Sequence, residues 1–336
     1  MIGKYKLRIE DKKVRFDLVL KRKFTIIKGN SATGKTYLTD MVLDEDGTKI
    51  YCKLPVRTLS KQRRTYTIEL FTNSNTVFIL DEDVEGIDTN EFAELLQESD
   101  NYFIICCRDV LKTLPISVDE IYEFKSETFY NNLNVPFTVT SLREQYNEKL
   151  ANKFIPELMI TEDSKSGFQF FDKTLNIECV SALNNANIVN TLIKYSSMYK
   201  NICIFLDRAA YGSYVYKLFN VIRFLDCNVV VLAPESFEYI LLKSGVVECN
   251  KKYLDEPYNY CDVKTFVSEF KDFDLGTKNR LQSWEQYFTA LLRYYSGKSA
   301  ELSYQEYGKS ELDPYYFRFK RQIFDLLPDV YLMENK

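Results

Sequence analysis

Residues 29–36 read Gly29-Asn30-Ser31-Ala32-Thr33-Gly34-Lys35-Thr36, a match to the pattern GxxxxGK[ST]. Each residue type has a reason to be there. Glycines let consecutive backbone N–H groups curl around phosphate oxygens, and the start of a following helix adds its dipole. Lys35 adds a positive charge and the Thr36 hydroxyl can ligate magnesium. The expected ligand is ATP or GTP, with ATP as the working choice, together with Mg²⁺. A partner motif follows at Val77-Phe78-Ile79-Leu80-Asp81-Glu82. Asp81 comes after four apolar residues and is placed to hold the magnesium ion. Glu82 is placed to polarise an attacking water. The plainer alternatives are a glycine turn that matches by chance and a strand ending in a solvated acidic turn.

A second set of acids lies further along. Leu158-Met159-Ile160-Thr161 leads to Glu162-Asp163, and Ile202-Cys203-Ile204-Phe205-Leu206 leads to Asp207-Arg208-Ala209. A third apolar run leads to Pro234-Glu235-Ser236-Phe237-Glu238. Acids at the carboxyl ends of adjacent parallel strands converge on one point, as a magnesium site requires. Glu162 and Asp207 are therefore candidates for a second metal and for catalysis. The alternative is that these acids cap helices or are merely solvated. Two basic sets could face nucleic acid: Lys53, Arg57, Lys61, Arg63 and Arg64, and the C-terminal Asn279-Arg280, Arg293 and Arg318-Phe319-Lys320-Arg321. A solvated loop is the alternative for the first, and a core or subunit interface for the second.

The elements that must position these residues follow an α/β rhythm. Lys4–Ile9 and Val14–Leu20 alternate apolar with polar and read as a hairpin. Phe24–Ile27 is a short apolar strand before the glycine loop, and Tyr37–Leu43 is helical. Ile50–Leu54 and Tyr66–Phe71 read as strands. Thr76–Leu80 and Tyr102–Cys106 are buried strands around the helix Glu91–Gln97, and Val118–Phe124 closes the unit. Residues 131–153 are polar and helix-prone. A second run of alternating strands and helices then extends from Glu157 to Lys243, and the remainder is expected to be mostly helical. The expected organisation is a nucleotide-binding domain over 1–130, a helical connector over 131–155, a second α/β domain over 156–250 and a helical region over 251–336.

Composition narrows the chemistry. Hydrophobic residues at 46% and charged residues at 27% describe a folded chain rather than a disordered one. A net charge of −4 provides no global attraction to nucleic acid, so such binding needs a local basic patch. The chain has no histidine, which removes Ser-His-Asp and Cys-His nucleophiles and histidine zinc sites. Its eight cysteines sit mostly in apolar runs without zinc-site spacing and are expected to be reduced, buried thiols of a cytoplasmic protein. No apolar run reaches the roughly 18 residues of a membrane span, and no signal peptide is evident.

The text from Asp81 through Glu82 to Ile87-Asp88 resembles the ABC-type ATPases, in which the second acid is followed by a short loop ending in an apolar residue and Asp. Arg108, after the next strand, stands where that family usually has a histidine that contacts the γ-phosphate. The helical subdomain and Ser-Gly-Gly signature of the family are absent between Lys35 and Asp81, where the first basic cluster lies instead. Residues 157–245 resemble a Toprim fold. Glu162 would match the family's first-motif glutamate and Asp207 the first acid of its Asp-x-Asp pair, whose second position is Ala209 here; Asp163 or Glu238 would be the substitute acid. The order of the two resembles a shortened OLD-family nuclease. That likeness implies a P-loop domain, a Toprim-like domain, nucleotide-controlled cleavage of nucleic acid, a role in phage defence, and a homo-oligomer or partner protein. The other reading kept open is a nucleotide-sensing regulatory or scaffold protein with an inert second domain; a kinase is a third.

Overall fold

The computed structural model describes residues 4–29, 35–43, 47–124, 133–134, 136–141, 154–250, 252–255, 288–289, 291–292, 295, 317–326 and 331–335. These form two units. The first is built from the chain up to residue 136, and the second from residue 137 to 255 with the described residues of the C-terminal part.

In the first unit, β1 (Tyr5–Glu10) and β2 (Arg15–Leu20) form the expected antiparallel hairpin, with β4 (Lys49–Tyr51) on the other side of β1. Alternation sends Leu7, Ile9, Phe16, Leu18 and Leu20 to one face. They share a core with Leu38 and Met41 of the helix α1 (Lys35–Leu43) and with Val77, Ile79, Tyr102 and Ile104. The hairpin thus braces the helix that begins at Lys35.

The main sheet takes the order β5-β6-β7-β3-β8-β9: β5 (Val56–Thr58), β6 (Val77–Asp81), β7 (Tyr102–Cys107), β3 (Phe24–Lys28), β8 (Ile121–Phe124) and β9 (Leu133–Asn134). All but β9 are parallel to their neighbours. The inner strands β3, β6 and β7 are covered on both faces, so they read as apolar runs rather than alternating ones. The chain leaves β3 toward one side and returns to β8 on the other, which makes the carboxyl end of β3 the switch point where ligands bind in open parallel sheets. Register places Asp81 beside Cys106 and Ile27 beside Cys106, so β6, β7 and β3 end at one level.

Three expectations need correction. Residues 66–71, expected as a strand, belong to α2 (Arg63–Thr72), with Tyr66 and Leu70 buried one helical turn apart. The polar stretch 131–153, expected as a helical connector, contains β9 and β10 (Phe137–Ser141). The C-terminal region, expected to be helical, ends in β15 (Tyr331–Asn335). Between α2 and β7, helix α3 (Asn90–Glu98) is as expected, with the Thr89 hydroxyl accepting from Phe92 N at 3.2 Å, a cap worth about 1 kcal/mol.

The second unit holds the sheet β10-β15-β14-β13-β11-β12, with β11 (Leu158–Thr161), β12 (Glu178–Ser181), β13 (Asn201–Phe205) and β14 (Asn228–Leu232) parallel. β15 pairs antiparallel with β14 and with β10. Its switch point lies at the carboxyl ends of β11 and β13, because β12 lies on one side of β11 and β13 on the other. Helices α4 (Ser166–Thr174), α5 (Ile188–Tyr195), α6 (Gly212–Ile222) and α7 (Phe237–Lys243) connect or follow the strands. A phenylalanine cluster joins α4 and α7 to β13: Phe171 and Phe205 rings lie 4.8 Å apart, and Phe170 and Phe237 5.8 Å apart. Burial of each such ring contributes about 1.5–3 kcal/mol.

Candidate functional site

The first site is assembled at the carboxyl ends of β3, β6 and β7. Gly29 follows β3, and its N–H donates to the Cys107 carbonyl at 3.1 Å, fixing the start of the glycine segment against the end of β7. Asn30, Ser31, Ala32, Thr33 and Gly34 lie outside the described residues. Helix α1 then opens with Lys35 and Thr36. The Lys35 side chain is only 6% exposed, and its ammonium donates to the Gly29 carbonyl. The Thr36 hydroxyl donates to Asp81 Oδ2 at 3.1 Å. Asp81 Oδ1 in turn accepts from the Glu82 N–H at 2.7 Å, which sets the direction in which Glu82 leaves the strand.

Glu82 is held by two cations. Arg108, just beyond β7, places Nε 2.9 Å from Glu82 Oε1 and donates its backbone N–H to Oε2 at 3.1 Å. Lys35 Nζ stands 3.9 Å from the same Oε2. The site therefore joins a lysine, an arginine, a hydroxyl and two carboxylates, drawn from two parallel strand ends and one helix start. The adjoining thiols are inert: burial pushes Cys107 up to about 12 and raises Cys106 further still.

The donor set fits magnesium. The ion takes one or two carboxylates and completes its shell with water and substrate phosphates, and Thr36 with Asp81 offers a hydroxyl and a carboxylate at bonding distance from each other. Ile87 and Asp88 lie in the turn after Glu82, Ile87 half-buried and Asp88 exposed. In the first basic cluster Lys61 pairs with Asp83, which raises its pKa, and Arg63 N donates to Glu85. Lys53, Arg57 and Arg64 are exposed.

The second site lies at the ends of β11 and β13, as the sequence led one to expect. Glu162 and Asp207 do meet: Glu162 Oε2 accepts the Asp207 N–H at 2.9 Å. Asp207 Oδ1 accepts from Phe237 N at 3.1 Å, at the start of α7. One oxygen of each acid is thus occupied by a backbone amide. Asp163 caps α4 instead, taking N–H groups from Gly167 and Phe168 at 3.0 and 3.1 Å. Ala209 is buried, and its N–H donates to the Glu235 carbonyl at 3.3 Å. Among the described residues, no three acidic or thiol side chains converge to hold a metal. Two carboxylates already engaged with amides do not fit a metal centre by themselves.

Sequence reasoning missed a buried charge pair next to Asp207. Arg208 and Glu235 form a buried ion pair at 3.0 Å. The signal was available, because a cation next to Asp207 and an acid after the adjacent strand occupy neighbouring strand ends. Tyr211 is fully buried, and burial, with a smaller contribution from the Glu162 charge, raises its pKa. Glu238 is also buried, on α7. At the C-terminus, Arg318, Lys320 and Arg321 are exposed and Phe319 half-buried, whereas Asn279, Arg280 and Arg293 lie outside the described residues.

No protein-family model, no curated protein and no solved structure matches this chain. Its function must therefore be argued from the site. Seven described cysteines are free, and no described helix is long and apolar enough to cross a membrane.

Proposed function

We propose that this chain binds ATP with magnesium at the Gly29–Thr36 segment and uses nucleotide occupancy to control nucleic-acid processing, in the manner of a shortened OLD-family nuclease. The observation that carries the nucleotide half is the 3.1 Å bond between the Thr36 hydroxyl and Asp81, which joins the two motifs at one strand-end level. Lys35 would bind β- and γ-phosphate oxygens, and Thr36 and Asp81 would hold magnesium, which supplies neutralisation of phosphate charge when bound. Glu82 would orient the attacking water once it leaves Arg108. The P-loop and Toprim-like assignments of the two units belong to this proposal.

A second reading is a nucleotide-sensing regulatory or scaffold protein whose second unit does not cleave. The engagement of Glu162 and Asp207 with backbone N–H groups favours it, as does alanine at 209.

Two measurements test these readings. Equilibrium binding of a fluorescent ATP analogue should be lost in Lys35→Ala. Labelled DNA and RNA, single- and double-stranded, should then be incubated with Mg²⁺ or Mn²⁺, with and without ATP. Cleavage abolished in Glu162→Ala selects the nuclease. ATP binding without any cleavage selects the regulator. Failure to bind any nucleotide ends both.

A further inference from the structure

The hairpin that braces α1 has a second face. Alternation buries Leu7, Ile9, Phe16, Leu18 and Leu20, and so turns Lys6, Arg8, Arg15 and Asp17 outward. Register brings Tyr51 of β4 beside Arg8, and Arg8 beside Asp17. Together with Lys53, these residues line an open groove of about 510 Å³. Its lining holds four cations and one acid, with Glu10 on the same face opposite Arg15, so the face keeps a net positive charge in a protein whose net charge is −4.

The arrangement is more specific than a solvated charged face. Asp17 lies between two arginines, with Oδ1 2.8 Å from Arg8 Nε and Oδ2 2.6 Å from Arg15 Nε. Each guanidinium donates its Nε–H to a different oxygen of Asp17, and each carries further N–H donors that can meet a phosphate. Among the described residues, Asp17 is the one acid in ion-pair contact with either arginine. Tyr51 is 50% exposed beside them, a large ring left uncovered on the groove wall. Cations on edge strands also discourage sheet-to-sheet pairing, but that role does not call for a carboxylate wedge or an open aromatic.

We infer that this groove binds the phosphodiester backbone of a nucleic-acid strand, with Arg8 and Arg15 on phosphates, Lys6 and Lys53 extending the track, and Tyr51 offering its ring to a base. Paired arginine forks suit phosphate oxygens, and a basic groove with an exposed aromatic suits an unpaired strand. The inference rests on the proposed function for the class of polyanion, but not on cleavage. It locates the nucleic acid on the sheet that packs against α1, so the strand and the nucleotide would act on the same helix from two sides.

The test is fluorescence anisotropy with a fluorescein-labelled 30-nucleotide single strand and its duplex, across a salt titration. Wild type is compared with Arg8→Ala/Arg15→Ala, Lys6→Ala/Lys53→Ala, Tyr51→Ala and Glu162→Ala. All the groove substitutions are at exposed or half-exposed side chains; circular dichroism and ATP-analogue binding confirm that the variants fold. Single-strand affinity should fall at least about tenfold in the double-arginine variant. Its slope of log K against log salt should shrink by about one per arginine removed. Tyr51→Ala should weaken the single strand about tenfold and the duplex much less. Wild-type affinity in both double variants places the nucleic acid elsewhere and overturns the inference while leaving the proposed function standing. Groove-dependent binding without cleavage supports the inference and removes the nuclease. A wild type that binds neither strand nor duplex overturns both.

Discussion

Arg108 grips Glu82 at both carboxylate oxygens, through Nε at 2.9 Å and the backbone N–H at 3.1 Å. In this arrangement the residue proposed to orient water is bonded to protein instead. A γ-phosphate would offer Arg108 and Lys35 a more highly charged partner and so release Glu82. Arg108 would then report the third phosphate. Arg108→Ala should lower affinity for a non-hydrolysable ATP analogue about tenfold, the worth of one charge-assisted bond, and leave ADP affinity unchanged. Glu82→Gln should do the reverse and tighten the triphosphate analogue, because the competing carboxylate is gone. Calorimetric titration of both nucleotides checks the pair; equal shifts for ADP and the analogue would falsify the assignment.

Thr36 and Asp81 together should determine the magnesium dependence of binding. In wild type, EDTA should weaken the triphosphate analogue by more than tenfold, since the ion links protein to phosphate. In Asp81→Asn the carboxylate charge is lost but the amide oxygen still accepts from Thr36. Affinity in EDTA should therefore match wild type, and the gain on adding Mg²⁺ should shrink. Lys35→Ala should weaken binding with and without the ion.

Much of this site was legible because the strands around it are buried on both faces. An apolar run ending in Asp81-Glu82 and another ending before Arg108 are unambiguous in sequence, and the glycine pattern fixes the third. The link between Glu82 and Arg108 was not legible, because it depends on β6 and β7 being neighbours and on the level at which each ends. Tyr66–Phe71 misleads for a different reason: Thr-Tyr-Thr-Ile alternates like a strand, whereas the burial of Tyr66 and Leu70 follows a helical turn. β15 could not be read at all. Its pairing partners β14 and β10 are far away in the chain, and no local pattern marks that choice. In the second unit the acids were legible, but their backbone partners were not, since Phe237 N–H and Asp207 N–H carry no side-chain signature.

Glu120 gives the first unit a pH dependence that sequence reasoning overlooked. Burial raises this carboxyl from its ordinary 4.5 to about 8, outweighing Arg22, whose Nε lies 3.7 Å away. The Thr25 hydroxyl also bonds it, at 3.2 Å. The folded state therefore binds the proton more tightly than the unfolded chain. The stability this provides is complete below pH 4.5 and is lost as pH rises through about 8. Glu120→Gln cannot ionise, so its melting temperature should fall less than that of wild type between pH 5 and pH 9. The difference in slope is the readout, because any change in packing or hydrogen bonding at this position offsets the variant's curve equally at both pH values. Parallel curves for the two proteins would show that Glu120 does not titrate in this range.

The acids of the second unit can be sorted into structural and metal-binding roles by substitution that keeps the acceptor. Asp207 accepts the first N–H of α7 and Glu162 accepts the N–H of Asp207. Alanine at either position strands an amide donor and should cost about 1–2 kcal/mol in chemical denaturation. Asn at 207 and Gln at 162 still present a carbonyl oxygen, so they should stay within about 0.5 kcal/mol of wild type. A metal site would respond otherwise: amides bind magnesium poorly, so Asp207→Asn would abolish any stabilisation that millimolar Mg²⁺ gives. The measurement is a denaturation series on the four variants in EDTA and in Mg²⁺. For a purely structural pair, the carbonyl-retaining variants match wild type in both buffers. Asp163 is the internal control, because its two bonds to Gly167 and Phe168 N–H groups cap α4. Asp163→Ala should cost about 1 kcal/mol, with or without the ion.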